Sequence, residues 1–311
     1  MKNSSDHAYY FNCTQLPGYQ QTFQRSETYE YSLLVILILN SITALLVICS
    51  NVLVIYIITT TRSLYSPSYF LILGLAISDL WVGILSQPSF SAIQYFELIE
   101  VAEPYCVAAV VYQFSGWFLA SISLLTLTVL TTDRFLALHF HLRYQEFVTC
   151  TRVVLVLVII WIYGILAGIF RIFTTDKIFT VHILILIGAI LLNIIFLCKI
   201  NQTVRRHSAQ IQALQAQPSM NIRMKKSVNI VYYIIGTFVL CFFPYVGCSV
   251  AIVIIQTWTQ TIRILFRAAE FFALTNSLLN PIIYCWRIED MRNAVRQRFQ
   301  SIFITSPSAN Q

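Results

Sequence analysis

The chain has 311 residues, of which 58% are hydrophobic and only 11% are charged. Soluble domains carry about 25% charged residues. This composition, with a mean hydropathy of +0.72, therefore excludes an ordinary soluble domain and indicates a membrane protein. The net charge of +7 does not predict nucleic-acid binding, because the basic residues lie in short segments between apolar runs. The eight cysteines lack the spacing of metal ligands, so they predict no metal site and no cofactor.

Seven apolar runs follow one another along the chain. Each is long enough to cross a hydrocarbon layer about 30 Å thick as a helix of roughly 20 residues. The runs are too long and too continuous to be the alternating strands of a membrane barrel. The predicted fold is therefore an all-α membrane protein with seven transmembrane helices. The runs cover residues 31–58, 67–92, 107–137, 153–170, 178–198, 229–255 and 262–284.

The runs divide the chain into segment 1–30, a transmembrane domain over 31–284, and segment 285–311. In the last segment, apolar residues recur at helical spacing with arginines between them, which predicts a short amphipathic eighth helix on the inner leaflet. With the amino terminus outside, 14 of the 20 basic residues fall on the inner side. We therefore predict a multi-pass plasma-membrane protein with a cytoplasmic carboxyl terminus. Glycosylation sequons begin at Asn3 and Asn12 in the outer segment.

Several polar side chains lie inside the apolar runs, and Asp79 is the deepest acid. An unpaired polar group in lipid costs several kcal/mol, so each of these side chains needs a partner. One interpretation is a conformational switch whose polar cluster favours different packings in two states. The other is a structural hydrogen-bond network that holds the helices together. The polar set is Asn51, Asp79, Ser123, Asn276 and Asn280.

The third run ends in an adjacent acid and base, Asp133 and Arg134. Such a pair marks either the end of a helix at the cytoplasmic surface or a functional element, and the pair alone does not decide between them. Prolines stand inside the sixth and seventh runs, at Pro244 and Pro281. Because proline cannot donate a backbone hydrogen bond, both positions predict a bend.

Short signatures in six of the runs, in the same order along the chain, resemble those of the rhodopsin-like (class A) G-protein-coupled receptors. The resemblance extends over residues 31–300. The short second outer loop and the absence of proline in the fifth run are similar to the melanocortin, lysophospholipid, cannabinoid and adenosine branch. The signatures are Ser50-Asn51-Val52, the LAISD segment ending at Asp79, Asp133-Arg134-Phe135, Trp161, Phe238-x-x-Cys241-x-x-Pro244 and Asn280-Pro281-x-x-Tyr284.

The resemblance implies a receptor that binds an extracellular ligand and activates a heterotrimeric G protein by opening its cytoplasmic face. It implies that Arg134 holds Asp133 at rest and later receives the Gα carboxyl-terminal helix. It also implies an allosteric sodium ion beside Asp79, within the polar set. The spans contain no catalytic constellation, so no enzymatic activity is predicted. The implied switch residues are Asp133, Arg134, Phe135, Phe242, Pro244, Pro281 and Tyr284.

Some residues depart from the family pattern. Phe242 stands where the family usually has tryptophan, and Phe135 stands where it has tyrosine. No acid lies near Met224 at the inner end of the sixth run, so the usual ionic restraint on Arg134 is missing. This absence predicts a weakly held resting state with basal signalling.

The family's usual disulfide joins the third helix to the second outer loop, but here that loop, about 171–177, has no cysteine. The resemblance leaves two alternatives. Either Cys13 bonds to Cys106 and draws the amino terminus over the ligand pocket, or the outer cysteines are free.

The resemblance also bears on the ligand. Gly116 stands where amine receptors carry aspartate, which disfavours a biogenic amine, and the seventh run has no lysine to bind retinal. Glu270 is either a counter-ion for a cationic ligand or the partner of Arg267 at i,i+3. Glu97 is expected to lie with Glu100 and Glu103 on a solvated charged face, and contact with a cationic peptide is the alternative. The pocket candidates, chosen by helical phase, are Tyr112, Gln113, Gly116, Trp117, Phe243, Tyr245, Ser249, Glu270 and Phe272.

Two other functions stay open. A chemosensory receptor for environmental small molecules would have the same sequence features, and expression pattern would separate it from a receptor for an endogenous ligand. A seven-helix transporter or channel would usually show paired charges along a pore or broken helices at the midplane. Ion flux in proteoliposomes would distinguish this last class.

Overall fold

The structure of the chain, a computed structural model, is helical apart from a two-stranded antiparallel ribbon formed by β1 (Tyr9–Asn12) and β2 (Gln20–Phe23) near the amino terminus. This statement covers the residues that the structure describes. They are 9–13, 20–23, 26–140, 143–173, 176–213, 218–255 and 259–304.

Ten α-helices follow the ribbon within these ranges. Their bounds are α1 Glu27–Thr60, α2 Pro67–Trp81, α3 Gln87–Leu98, α4 Ala102–Phe140, α5 Tyr144–Phe147, α6 Cys150–Phe173, α7 Asp176–Ala213, α8 Pro218–Ile255, α9 Gln260–Arg287 and α10 Glu289–Ile304. A 3₁₀ turn follows α1, and a π-helical turn joins α2 to α3 so that the two form one long span. The seven spans are therefore α1, α2 with α3, α4, α6, α7, α8 and α9.

In the described part of the chain, six of these spans are long and apolar enough to cross a membrane, and α9 is the exception. Its outer turns carry Arg263, Arg267 and Glu270, and its inner half carries several polar side chains. These residues reduce its apolar character without shortening the helix. Their partners are therefore expected inside the bundle.

The helices extend beyond the predicted runs at most ends. Ser26 caps α1 by accepting a hydrogen bond from the Tyr29 backbone N–H at 3.3 Å, so that helix begins before residue 31. α7 continues to Ala213 and α8 begins at Pro218, so most of the inner loop predicted between the fifth and sixth spans is helical. Hydropathy detects only the part of a helix that lies in lipid, and polar turns beyond the membrane surface escape it.

The π-helical turn, Val82–Ser86, comes just before Pro88. Proline clashes with the carbonyl four residues earlier, and an extra residue in the turn is one way to absorb that clash. Asn40 of α1 donates its side-chain amide to the Gln87 carbonyl at 2.8 Å, which ties the turn to the neighbouring helix. The turn changes the helical phase of α3, whose buried face includes Phe90 and Glu97.

An apolar core fills the inner half of the bundle and includes the buried face of α10. Leu71, Leu75 and Tyr284 are fully buried there, and Met291 of α10 packs into the same cluster. The Arg298 side chain also donates to the Thr60 carbonyl at 3.2 Å, at the inner end of α1. Buried apolar contact and this hydrogen bond together hold the eighth helix against the bundle.

Two glycines let α6 approach α4 closely. A Cβ atom at Gly164 would lie 2.7 Å from Ile122 Cγ1 and 3.1 Å from the Phe118 carbonyl oxygen. A Cβ at Gly168 would meet the Phe114 ring at 2.8 Å and its carbonyl at 3.0 Å. Small residues spaced four apart commonly allow such close packing between membrane helices.

Gly164→Ala is therefore expected to destabilise the bundle by about 1–3 kcal/mol, because the new methyl group overpacks the α4–α6 contact. Gly188→Ala in α7 is the matched control, since a Cβ there meets nothing within 4 Å. Thermal unfolding of the purified protein in nanodiscs measures both. Equal melting temperatures for the two variants would contradict the predicted role of the close contact.

Candidate functional site

The middle of the bundle holds a buried polar group that we call the polar core: Asn51, Asp79, Ser277 and Asn280. The Asp79 carboxylate accepts hydrogen bonds from the Ser277 hydroxyl and the Asn280 amide, each at 2.8 Å. The Asn51 amide donates to the Ser277 carbonyl at 3.2 Å. Two side chains of α9 therefore meet the carboxylate of α2, Asn51 of α1 joins them through the Ser277 carbonyl, and all four residues are buried.

The other two predicted members of the polar set lie apart from these hydrogen bonds. Ser123 of α4 shares a 3.3 Å hydrogen bond with Ser78, the residue before Asp79. The Oδ1 atoms of Asn276 and Asn280 are buried and have no hydrogen-bond partner among the described residues. The sequence set omitted Ser277, although it lies three residues from Asn280 on the same helical face.

At the inner end of α4, Asp133 is held by donors from three elements. Arg134 donates to its carboxylate from Nη2 at 2.8 Å and from Nε at 3.1 Å. Ser68 of α2 donates at 2.8 Å, and the Tyr144 hydroxyl of α5 donates to the second oxygen. We call these four residues the inner lock. The Asp133–Arg134 pair is thus an ion pair fixed by two neighbouring segments, and not merely a helix end.

Tyr144 lies outside the membrane spans, in the short helix after α4. Burial raises the pKa of its phenol above the usual value, and the hydrogen bond to the Asp133 carboxylate raises it further. The phenol therefore stays protonated at physiological pH and donates to Asp133. The sequence interpretation did not include Tyr144 or Ser68.

The remaining switch candidates lie on α4, α8 and α9. Phe135 stacks on Phe196 of α7, with ring centroids 5.0 Å apart. Phe242 stacks on Phe238 within α8, at 4.3 Å. Tyr284 is fully buried, and its hydroxyl has no hydrogen-bond partner among the described residues. Pro244 and Pro281 both stand inside continuous helices, α8 and α9.

The outer pocket prediction is wrong at two positions. Phe243 is 73% exposed and Phe272 is 52% exposed, so both side chains lie on the outside of the bundle. Counting back from buried Leu274 by three and four residues leads to Phe271 and Glu270, so the buried stripe of α9 misses Phe272. In α8, the stripe through Phe238 and Cys241 likewise misses Phe243. The residues buried at least in part are Tyr112, Gln113, Gly116, Trp117, Tyr245, Ser249 and Glu270.

Around Gly116 the bundle is open. A Cβ atom at this position would meet no atom within 4 Å. Tyr112 lies one turn further out and contacts the buried Phe90 ring at a centroid distance of 5.2 Å. Trp117 is beside Gly116 on the same helix, with the Arg171 guanidinium 5.9 Å from its ring. The space has aromatic side chains on α4 and no acid at the Gly116 position.

Above this space lies a buried ionic group that we call the outer ionic cluster: Glu97, Arg267, Glu270, Tyr29 and Tyr112. Arg267 contacts Glu270 at 3.1 Å and Glu97 at 3.5 Å, and these residues are 7%, 5% and 6% exposed, respectively. Tyr29 donates a hydrogen bond to Glu97, and Tyr112 donates one to Glu270. The cluster therefore joins α1, α3, α4 and α9.

Of the two interpretations of Glu270, the structure contains the pair with Arg267, and a counter-ion role toward a ligand stays a prediction. The expectation that Glu97 lies on a solvated charged face is wrong. The apolar run ends at residue 92, yet α3 continues to Leu98 and carries Glu97 back into the bundle. A helical count from Phe90 and Ile93 would have placed Glu97 on their face.

A disulfide between Cys13 and Cys106 ties the amino-terminal segment to the outer end of α4. Of the two alternatives for these cysteines, the structure has the bonded one, with 5.4 Å between the Cα atoms. Cys13 is buried against Ile93 and Tyr105. Of the two sequon asparagines, Asn3 lies outside the residues that the structure describes. Asn12 is the last residue of β1, and the structure does not describe its side chain. Glycosylation therefore stays a prediction.

Comparison with known proteins identifies the architecture. The sequence profile described as "7 transmembrane receptor (rhodopsin family)" matches residues 50–178 and 174–284. The chain belongs to this family. The prediction of a seven-helix, rhodopsin-like receptor is confirmed, and members of this family are receptors and not enzymes.

Individual relatives agree with this assignment. Human G-protein coupled receptor 12 is 29% identical over 272 residues, which cover 80% of this chain and 77% of the relative. Human melanocortin receptor 3 is 23% identical over 261 residues, covering 79% and 80%, respectively. The crystal structure of squid rhodopsin superposes with a TM-score of 0.74 at 20% identity, covering 92% of this chain and 90% of rhodopsin, which shows the shared fold. The chain is therefore a multi-pass membrane receptor that signals through heterotrimeric G proteins.

Proposed function

We propose that this receptor lies in the plasma membrane with its amino terminus outside, and that an extracellular ligand releases the inner lock to admit a G protein. The observation that carries this proposal is the inner lock itself. Asp133 accepts hydrogen bonds from α2, α4 and α5 and holds the Arg134 guanidinium at the inner face. A movement that separates these elements would free Arg134 for the Gα subunit.

The polar core supplies the connection between the two faces in this proposal. It joins α1, α2 and α9 at mid-depth through hydrogen bonds to Asp79 and to the Ser277 carbonyl. Buried hydrogen bonds are strong in a low dielectric, and they have discrete alternative partners. A shift of α9 caused by ligand would therefore exchange these bonds and change the packing near Tyr284.

The residues around Asp79 fit a sodium ion as an allosteric ligand. They offer one carboxylate together with the buried Oδ1 atoms of Asn276 and Asn280, which accept no hydrogen bond from the described residues. Hard cations prefer oxygen ligands of this kind. Asp79, Ser123, Asn276 and Asn280 would hold the ion, which would neutralise the buried carboxylate.

The ligand is expected to enter the space beside Gly116, under the outer ionic cluster. Tyr112 and Trp117 favour an apolar or aromatic ligand body. The missing acid at Gly116 and the absence of lysine from α9 disfavour an amine and retinal. The ligand is otherwise unassigned, and a chemosensory role is compatible with the same pocket.

Arg134→Ala is expected to reduce agonist-evoked Gα activation by about tenfold or more, which corresponds to about 1.4 kcal/mol of coupling. A screen of a ligand library with a promiscuous Gα readout would supply the agonist, and nucleotide exchange in nanodiscs would measure the effect. Arg296→Ala, at an exposed position on α10, is the control for loss of one inner charge. An undiminished signal from Arg134→Ala would exclude the proposed role.

The orientation is tested separately with epitope tags at the two termini. An antibody should reach a tag at Met1 on intact cells, and should reach a tag at Gln311 only after permeabilisation. Two tags that behave alike would contradict the proposed topology, because seven spans place the chain ends on opposite sides.

A further inference from the structure

Arg287 ties α8 to the junction between α9 and α10 at the inner end of the bundle. Its guanidinium carbon lies 3.9 Å from the centre of the Trp286 ring and 4.0 Å from the centre of the Tyr233 ring. Arg287 also donates a hydrogen bond to the Tyr233 hydroxyl. The two rings contact each other with a centroid distance of 5.6 Å. We call Tyr233, Trp286 and Arg287 the inner clamp.

The inner clamp suits its position at the membrane surface. Tyr233 and Trp286 are both exposed, so the guanidinium can stack on their faces while part of it stays hydrated. Tyr233 lies on α8, whereas Trp286 and Arg287 are the last two residues of α9. The neighbouring Tyr232 donates to the Leu197 carbonyl of α7 at 2.9 Å. The inner half of α8 is thus held from both sides, by α7 and by α9.

The composition of α8 excludes an ion pair between an acid of this helix and Arg134. No Asp or Glu occurs between Pro218 and Ile255, so α8 cannot offer a carboxylate to Arg134. It offers instead an aromatic ring and a hydroxyl to a different arginine. The contact between Tyr233 of α8 and Arg287 of α9 is a cation–π contact with a hydrogen bond, and it does not require a buried acid.

We propose that the inner clamp keeps α8 closed against α9 in the resting receptor, in place of an ion pair between α8 and Arg134. Its opening accompanies the outward movement of α8 that exposes the G-protein site, so the inference rests on the proposed function. Cation–π contacts at exposed sites are weak, so the closed state is only slightly more stable than the open one. This agrees with the basal signalling expected from the missing acid. The inner clamp sets the level of that signalling.

The first test is basal GDP–GTP exchange by the full-length receptor in nanodiscs without ligand. Tyr233→Ala and Arg287→Gln are each expected to raise the rate by about three- to tenfold. Tyr233→Phe keeps the stacked ring and loses only the hydroxyl, so its rate should fall between wild type and Tyr233→Ala. The basal exchange rate of the variant with both Tyr233→Ala and Arg287→Gln should not exceed that of the faster single variant, because both changes break the same contact. Arg296→Gln is the matched control, since it removes one charge from an exposed position on α10.

The second test measures α8 directly and needs no G protein. Spin labels at Phe140→Cys on α4 and Gly236→Cys on α8 are introduced after the six free cysteines have been replaced by alanine. Gly236 suits a label because a Cβ there meets nothing within 4 Å. Tyr233→Ala and Arg287→Gln should both increase the population with a longer distance between the labels. An unchanged distance distribution in both variants would overturn the proposal.

The two tests separate failure of this inference from failure of the proposed function. Suppose that neither the wild type nor any variant activates a Gα subunit, while the label distances lengthen as expected. The inner clamp then stands and the coupling proposal fails. If wild type and Arg296→Gln activate Gα equally and neither clamp variant raises the basal rate, the inner clamp is not the restraint.

Discussion

Replacing Arg267 by methionine is expected to lower the free energy of unfolding by about 3–5 kcal/mol. The guanidinium contacts two carboxylates, Glu97 at 3.5 Å and Glu270 at 3.1 Å, and all three groups are buried. Without it, two like charges would remain in a low dielectric, where the Tyr29 and Tyr112 hydroxyls donate to them. The loss reflects the two unpaired acids more than the value of the original ion pairs.

The measurement is thermal unfolding of the purified receptor in nanodiscs, together with the amount of protein at the cell surface. Adding Glu97→Gln and Glu270→Gln to Arg267→Met should recover much of the lost stability, since neutral amides no longer repel each other. Arg296→Met removes one charge from an exposed position and should leave the melting temperature near that of wild type. If Arg267→Met also melts like wild type, the outer ionic cluster does not stabilise the fold.

Loss of the disulfide is expected to have the second largest effect, about 2–4 kcal/mol for Cys13→Ser. The bond joins residues 93 positions apart, and it closes a loop that contains the first two spans. Much of that loop stays helical when a membrane protein denatures, so the entropic gain is smaller than for a soluble chain. The bond also anchors the buried contact of Cys13 with Ile93 and Tyr105.

Thermal unfolding with and without a reducing agent tests the disulfide. Cys106→Ser and the double variant should match Cys13→Ser, because each removes the same bond. Reductant should lower the melting temperature of wild type and leave these variants unchanged. Cys248→Ser, which removes a free cysteine, is the control. A reductant effect in the double variant would show that the stabilisation comes from elsewhere.

The two predictions concern the outer end of the bundle, which is closed by a covalent bond and by buried charges. Among the described residues, the contacts at the inner end are noncovalent, and they include the inner lock and the inner clamp. This difference suits a receptor, because the face that admits the G protein has to open reversibly. With a rigid outer end, a ligand would still affect the inner face through movements of α4 and α9. Both helices extend from the outer ionic cluster to the inner face.

Several site residues could be predicted from sequence because their chemistry is unfavourable in lipid. Asp79 needs buried donors wherever the fold places it, and Asn280 is one of those donors. Ser277 could have been included by helical spacing. Glu97 escaped detection because hydropathy ends a span at its last apolar stretch, whereas α3 continues for six more residues. Phe243 and Phe272 were assigned to the pocket by counting residues along each helix. The buried faces of α8 and α9 in the structure do not include them.

The amino-acid sequence by itself determined the seven-helix architecture and the family, since a backbone that crosses lipid must satisfy its own hydrogen bonds within each helix. It also determined which polar groups need partners. Only the tertiary structure decided which partner each group has: Ser277 for Asp79, Tyr144 for Asp133, Glu97 for Arg267 and Tyr233 for Arg287. These contacts join residues from different elements, so they depend on helix phase, length and packing, which local periodicity does not specify.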